Sequence, residues 1–129
     1  MKNLLVLLFS VWAGISSAQT DITAKVTEAL KKGDAASLAS MMMSQVDLSI
    51  DGKDDSYSKE QASEMIRKFF AEHAAKDFSV KHQGTSKLDD QYRIGDLVTS
   101  TGKYRVTFFL KKNGSVMQIR QISFEADDF

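Results

Sequence analysis

The chain of 129 residues has no cysteine. That absence excludes disulfides, thiolate catalysis, cysteine zinc sites and thiol redox chemistry together. It also leaves no thiol to carry the lipid of a lipoprotein anchor. Histidine is scarce, with His73 and His82 the only two. Neither stands at a spacing from the other or from a carboxylate that forces a metal site, so no metal and no cofactor are expected. An excess of either charge is missing as well: 17 basic residues face 17 acidic ones for a formal net charge of zero. Such balance argues against nucleic acid and against anionic membrane surfaces, which select for basic patches. There is one tryptophan, Trp12, and no internal repeat, linker or low-complexity run.

What is present begins with Met1-Lys2-Asn3, an apolar run from Leu4 to Ala13, and Ser16-Ser17-Ala18. A basic start, an apolar middle and a small-x-small end make a secretory signal peptide, residues 1–18. A membrane anchor would need about 20 apolar residues, and Gly14, Ser16, Ser17, Gln19 and Thr20 end this run early. Cleavage after Ala18 leaves Gln19 first, able to cyclise, removes Trp12 and Lys2, and leaves a formal charge one unit negative. The expectation is an exported protein, periplasmic or secreted, with no membrane span after cleavage. Residues 19–129 are long enough for one domain and too short for two. Without disulfides, that domain must be held by its core alone.

Periodicity orders the elements. Thr20 or Asp21 can cap a first helix whose Ile22, Val26, Ala29 and Leu30 form one stripe, with Gly33 at the left-handed C-terminal position. Asp34 starts a second helix that buries Ala35, Leu38, Ala39 and Met42. From Val46 the period becomes two, with Val46, Leu48 and Ile50 inward and Asp47 and Ser49 outward. A turn is expected over Asp51–Asp55, then a short return strand with Tyr57. Ser58-Lys59-Glu60-Gln61 is a capping box opening a longer helix to about Ala75, with Ala62, Met65, Ile66, Phe69, Phe70 and His73 at helical spacing.

The last third is read as three strands joined by tight turns. Phe78, Val80 and His82 alternate ahead of a polar stretch around Lys87–Asp90 that leads into Tyr92–Ser100, and Thr101-Gly102 makes a corner. Tyr104, Val106, Phe108 and Leu110 alternate strictly with Arg105, Thr107, Phe109 and Lys111. Asn113-Gly114 reads as a type I′ hairpin turn. Met117 and Ile119 share one parity while Ile122 and Phe124 share the other, which a bulge near Arg120 reconciles. Asp127 and Asp128 form an acidic tail. Helices with one apolar stripe and strands with one apolar face are all buried if a mainly antiparallel sheet curls around the long helix. That is an α+β cone.

The stretches Ala29-Leu30-Lys31-Lys32-Gly33-Asp34, Val46–Ile50, Tyr57–Ala62, Phe69-Phe70, His82-Gln83-Gly84 and Gly102–Val106 carry a resemblance over nearly the whole mature chain. The sequence resembles the exported bacterial family called domain of unknown function 4783, within the nuclear transport factor 2-like (cystatin-like) superfamily. The resemblance implies a curved sheet packed on a long helix plus an N-terminal helical hairpin. It implies no activity, because the broader fold hosts isomerases, dehydratases and domains that only bind or dimerise.

An isomerase-like site on this fold needs a carboxylate base in an apolar pocket and a tyrosine or protonated acid as donor. Asp96 is the acid that fits. Simple alternation puts it with Tyr92, Ile94 and Val98 on the buried face, whereas a bulge at Gly95 turns it outward. His82 shares parity with Phe78 and Val80 and is expected to point into the cone; His73 ends the long helix's apolar face. Tyr57 and Tyr92 are pocket candidates with His82 and Asp96. Tyr104 sits on the regular core stripe, and Arg105 faces out. Phe109 has the outer parity, so a second subunit can pair there. Met41-Met42-Met43 is core filling.

No catalytic constellation is present, so the expected function is an exported, non-catalytic binding or protein-interaction domain whose partner is a small apolar ligand or an envelope protein. The alternative is a small lyase or isomerase acting on an apolar substrate in the cone. A third reading is a structural subunit of an envelope assembly.

Overall fold

The computed structural model describes residues 22–86 and 90–127. The expected signal peptide, Gln19, the caps expected at Thr20 and Asp21, residues 87–89 and Asp128 lie outside the described residues. Three helices and six strands follow in the order α1 (Thr23–Lys32), α2 (Ala35–Ser40), β1 (Met42–Ile50), β2 (Lys53–Ser58), α3 (Lys59–Glu72), β3 (Ala75–Thr85), β4 (Gln91–Thr99), β5 (Gly102–Asn113) and β6 (Val116–Ala126). The strands form one sheet ordered β2-β1-β6-β5-β4-β3. Every neighbouring pair is antiparallel except β1 and β6, which run parallel.

Local chemistry sets the boundaries. Helix α1 has Ile22 at its N-cap with no side-chain cap, and ends at Gly33, whose φ of 66° is the left-handed value glycine tolerates. Asp34 caps α2 by accepting from the Ser37 N–H at 3.0 Å and the Ser37 hydroxyl at 2.7 Å. Those bonds hold its carboxyl below the usual carboxylate range, the side-chain bond acting most strongly. Helix α2 stops at Ser40, so Met42, expected on that helix, is buried in β1 instead. The capping box at Ser58 is complete, with side-chain and backbone bonds exchanged with Gln61. Helix α3 ends at Glu72, three residues before the expected Ala75, because His73 leaves helical geometry as its C-cap.

The turns are tighter than the sequence suggests. Asp51 and Gly52 alone join β1 to β2, with φ of 50° and 88°, the signs a type I′ turn requires; Lys53 already pairs with Ile50. The return strand therefore starts at Lys53 rather than near Tyr57. Between β5 and β6 the loop is Gly114-Ser115, and of the two only Gly114 has positive φ. Glycine in first place is the type II′ pattern, one residue later than the expected type I′ turn. Four strands follow α3, not three, since Ala75–Thr85 and Gln91–Thr99 are separate strands paired along their lengths.

Helices α1, α2 and α3 cover one face of the sheet. That inner face supplies Phe78, Leu97, Phe108, Leu110, Ile119, Ile122 and Phe124, each fully buried, against Val26, Leu30, Leu38 and Ile66 of the helices. Each large apolar side chain so buried contributes about 1.5–3 kcal/mol. Phe69 of α3 packs on Phe124 with ring centroids 4.8 Å apart. The bulge expected near Arg120 is there: Phe109 pairs with Gln121 and Leu110 with Ile119, leaving Arg120 as the extra residue. Among the described residues no helix is long and apolar enough to cross a membrane.

Candidate functional site

Strand β4 decides which residues reach the cone. Its pairing to β5 is unbroken from Gln91 to Thr99. Leu97 faces Tyr104 and Arg93 faces Phe108, all of them buried, so the inward set is Arg93, Gly95, Leu97 and Thr99. Alternation then puts Tyr92, Ile94, Asp96 and Val98 on the outer face. Asp96 is turned outward, as expected, but not by a bulge at Gly95: its whole parity class faces out. The bulge lies opposite, in β3, where Val80 pairs with Gly95 but His82 with Ile94, leaving Lys81 unpaired. This extra residue reverses parity after Val80. His82 is consequently exposed on the outer face, not directed into the cone.

Gly95 is inward because nothing larger fits. A Cβ there would lie 2.4 Å from the Ser79 carbonyl oxygen and 2.5 Å from Phe78 Cζ. The Phe78 ring occupies the space that a side chain on β4 would fill. The inward positions of β4, β5 and β6 carry no carboxylate; the charged group among them near the core is Arg93, 5% exposed. Its guanidinium donates to Thr23 Oγ1 at 3.0 Å, the Tyr92 carbonyl at 3.0 Å and Gln91 Oε1 at 2.7 Å. Arg93 thus ties β4 to the start of α1. The isomerase reading required Asp96 or His82 inside the cone, and the fold places both outside it.

Among the described residues, two surfaces combine aromatic and charged side chains and are candidate sites. The first is an open groove of about 470 Å³ between the β1–β2 hairpin and the C-terminal half of α3. Ile50, Tyr57, Met65 and Phe69 form its apolar side, with Asp51, Lys53, Lys68, Glu72 and His73 around them. His73 is the residue that sequence reasoning undervalued. Its ring lies 4.8 Å from Phe69 and 5.2 Å from Tyr104, and its Nδ1 is 2.6 Å from Thr101 Oγ1. Thr99 donates its hydroxyl proton to the Gly102 carbonyl at 2.7 Å, so it accepts from Thr101. Thr101 Oγ1 is thereby free to accept from His73 Nδ1–H at 2.6 Å, and the Tyr104 hydroxyl stands 3.5 Å from Nδ1 and 3.4 Å from Nε2, nearly equidistant from the two ring nitrogens. Burial raises the Tyr104 phenol above its usual value, and the negative charges of Asp51 and Glu72 raise it further, against the lowering effect of Thr101.

The second surface is the outer face of the sheet. Tyr92 and Phe109 are directly paired across β4 and β5, with ring centroids 6.1 Å apart. The Arg120 guanidinium sits 5.4 Å above the Phe109 ring, a cation–π contact. It is held there by a 2.6 Å hydrogen bond from Nε to Asp90, whose side chain is only 5% exposed. The bulge at Arg120 brings this about. Tyr92 in turn lies over Gly84, where a Cβ would stand 2.6 Å from the phenol oxygen. Ile94 is half-buried and Val98 is 40% exposed on the same face. Of the four pocket candidates, Tyr57 lines the groove, whereas His82, Tyr92 and Asp96 lie together on this outer face. Among the described residues no cluster of three or more histidine, aspartate or glutamate side chains is arranged to hold a metal.

Residues 23–125 match the family described as domain of unknown function (DUF4783). Among solved structures, a DUF4783 family protein from Bacteroides ovatus is 31% identical, with a TM-score of 0.78, covering 84% of this chain and 97% of its own. One from Bacteroides uniformis is 30% identical at the same TM-score, covering 84% of this chain and all (100%) of its own. An NTF2-like protein of unknown function from Cytophaga hutchinsonii, 11% identical with a TM-score of 0.60 over 88% of this chain and 95% of its own, shares the fold. No curated protein matches the chain.

Proposed function

The chain belongs to the DUF4783 family with an NTF2-like fold, and on that premise we propose that it is an exported, non-catalytic interaction domain that pairs with a second copy of itself through the outer face of its sheet. The stack of Tyr92, Phe109 and Arg120 carries this reading. Aromatic and arginine side chains in fixed positions are the groups that dominate binding energy at protein interfaces, and here a buried carboxylate fixes the arginine. Charge supports a second copy as the occupant. Asp96, Arg105 and Glu125 stand side by side in one row across β4, β5 and β6. In a two-fold interface the same patch meets itself, so a row carrying acid, base, acid can set Arg105 against a carboxylate of its partner. The signal-peptide pattern of Met1–Ala18 supports export.

Native mass spectrometry of the protein recovered from its host's extracytoplasmic fraction tests both parts. The expected result is a chain beginning at Gln19, observed at twice its subunit mass. A chain still beginning at Met1 would refute export, and a monomer at micromolar concentration would refute pairing.

A further inference from the structure

The groove beside α3 has an ordered pattern of charge. Strand β2 and helix α3 meet at Ser58 and run side by side from there, both lining the groove. At about 1.5 Å per helical residue and 3.3 Å per strand residue, Lys68 lies about 15 Å from Ser58 along α3 and Lys53 about 17 Å along β2. Glu72 lies about 21 Å along α3, and Asp51, in the two-residue turn next to Lys53, stands no more than about one strand step of 3.3 Å beyond it. The two lysines are therefore nearly level with each other, and the two carboxylates lie just beyond them. Each wall repeats the polarity of the other, so the groove has an acidic end and a basic middle.

At the acidic end stand His73 and, behind it, the Tyr104 hydroxyl, on a residue 7% exposed. The raised value of the Tyr104 phenol, caused first by burial and then by Asp51 and Glu72, agrees with both carboxylates converging there. Among the described residues, Lys53, Lys68 and Glu72 make no ion pair and Asp51 accepts only a 3.3 Å bond from the Ala126 N–H. The charges are thus available to a ligand.

We propose that this groove binds a short zwitterionic peptide, its ammonium end between Asp51 and Glu72, its carboxylate end between Lys53 and Lys68, and an apolar side chain against Phe69 and Tyr57. The termini of a dipeptide lie about 7 Å apart, and on the α3 wall Glu72 stands one helical turn, about 6 Å, beyond Lys68. A purely apolar ligand would leave two charges of each sign unused beside it. A ligand of one charge would meet repulsion at one end.

The test is calorimetric titration of the mature chain with alanyl-phenylalanine, alongside its N-acetylated and C-amidated forms. Saturable binding with a dissociation constant of about 1 mM is expected, and each blocked peptide should bind about threefold to fivefold more weakly, the scale of one exposed ion pair. Reversing both cations, K53E with K68E, should weaken the free dipeptide while sparing the C-amidated form. The reversed residues are exposed, and an unchanged thermal midpoint checks that the fold is intact. Equal binding of the free and blocked peptides, or no saturation by about 10 mM, would overturn the proposal on the unaltered protein.

Discussion

The two faces of the sheet are built from neighbouring residues of the same strands, yet they obey different rules. On the inner face, Phe108 is fully buried in the apolar core. One residue on, Phe109 is half-buried on the outer face, between Tyr92 and the Arg120 guanidinium. The inner ring gains its free energy by leaving water. The outer ring keeps part of its surface in water and is held by a cation whose position depends on Asp90. Burial explains the fold, and the incompletely covered outer ring is what a partner can still use.

Substitutions at paired positions sharpen that contrast. The largest effect belongs inside: Phe108→Ala should lower unfolding stability by about 3–5 kcal/mol, read from the urea midpoint. Gly95→Ala comes next, at about 1–3 kcal/mol for overpacking, because its new methyl would strike the Ser79 carbonyl and the Phe78 ring. The result should be a lower midpoint with an unchanged denaturant slope. Asp90→Ala should cost about 1.5 kcal/mol, the low end for a hydrogen bond between charged groups, because Arg120 is 31% exposed and can be hydrated. Its stronger effect should be on pairing, since it releases the guanidinium from Phe109.

Tyr104 marks the border between the faces and the groove. Its folded value is raised, so the folded chain holds the phenol proton more tightly than the unfolded one. Its contribution to stability is present below the unfolded value of about 10 and is lost as pH rises from there through the folded value. Tyr104→Phe should flatten that alkaline decline while leaving the neutral-pH melting curve within a few degrees.

Much of the inner face can be read from the chain because its strands alternate cleanly. In β5, every inward position from Tyr104 to Leu110 is apolar and Arg105 and Thr107 are polar, so parity settles the matter. The parity change between Ile119 and Ile122 likewise exposes the Arg120 bulge. Strand β4 has no such contrast. Tyr92, Ile94 and Val98 make one parity as apolar as Gly95 and Leu97 make the other, and the inward one contains Arg93. What breaks the tie is distant: Thr23, 70 residues away in sequence, receives the Arg93 guanidinium. His82 misleads for a related reason, since an unpaired Lys81 leaves no mark on the pattern. His73 continues the helical spacing of α3, but its partner Thr101 is 28 residues further on, and no local signal connects them.

Pairing through the outer face of the sheet is the central proposal for this molecule. The most direct measurement is sedimentation equilibrium of residues 19–129 beside their Phe109→Glu variant, with thermal melting of each as a control. A dimer is expected for the first and a monomer for the second, the variant monomer losing about 1 kcal/mol of stability with the ring's contacts to Tyr92 and Arg120. A variant that remains dimeric, or a parent chain that is monomeric at the same concentration, would contradict it.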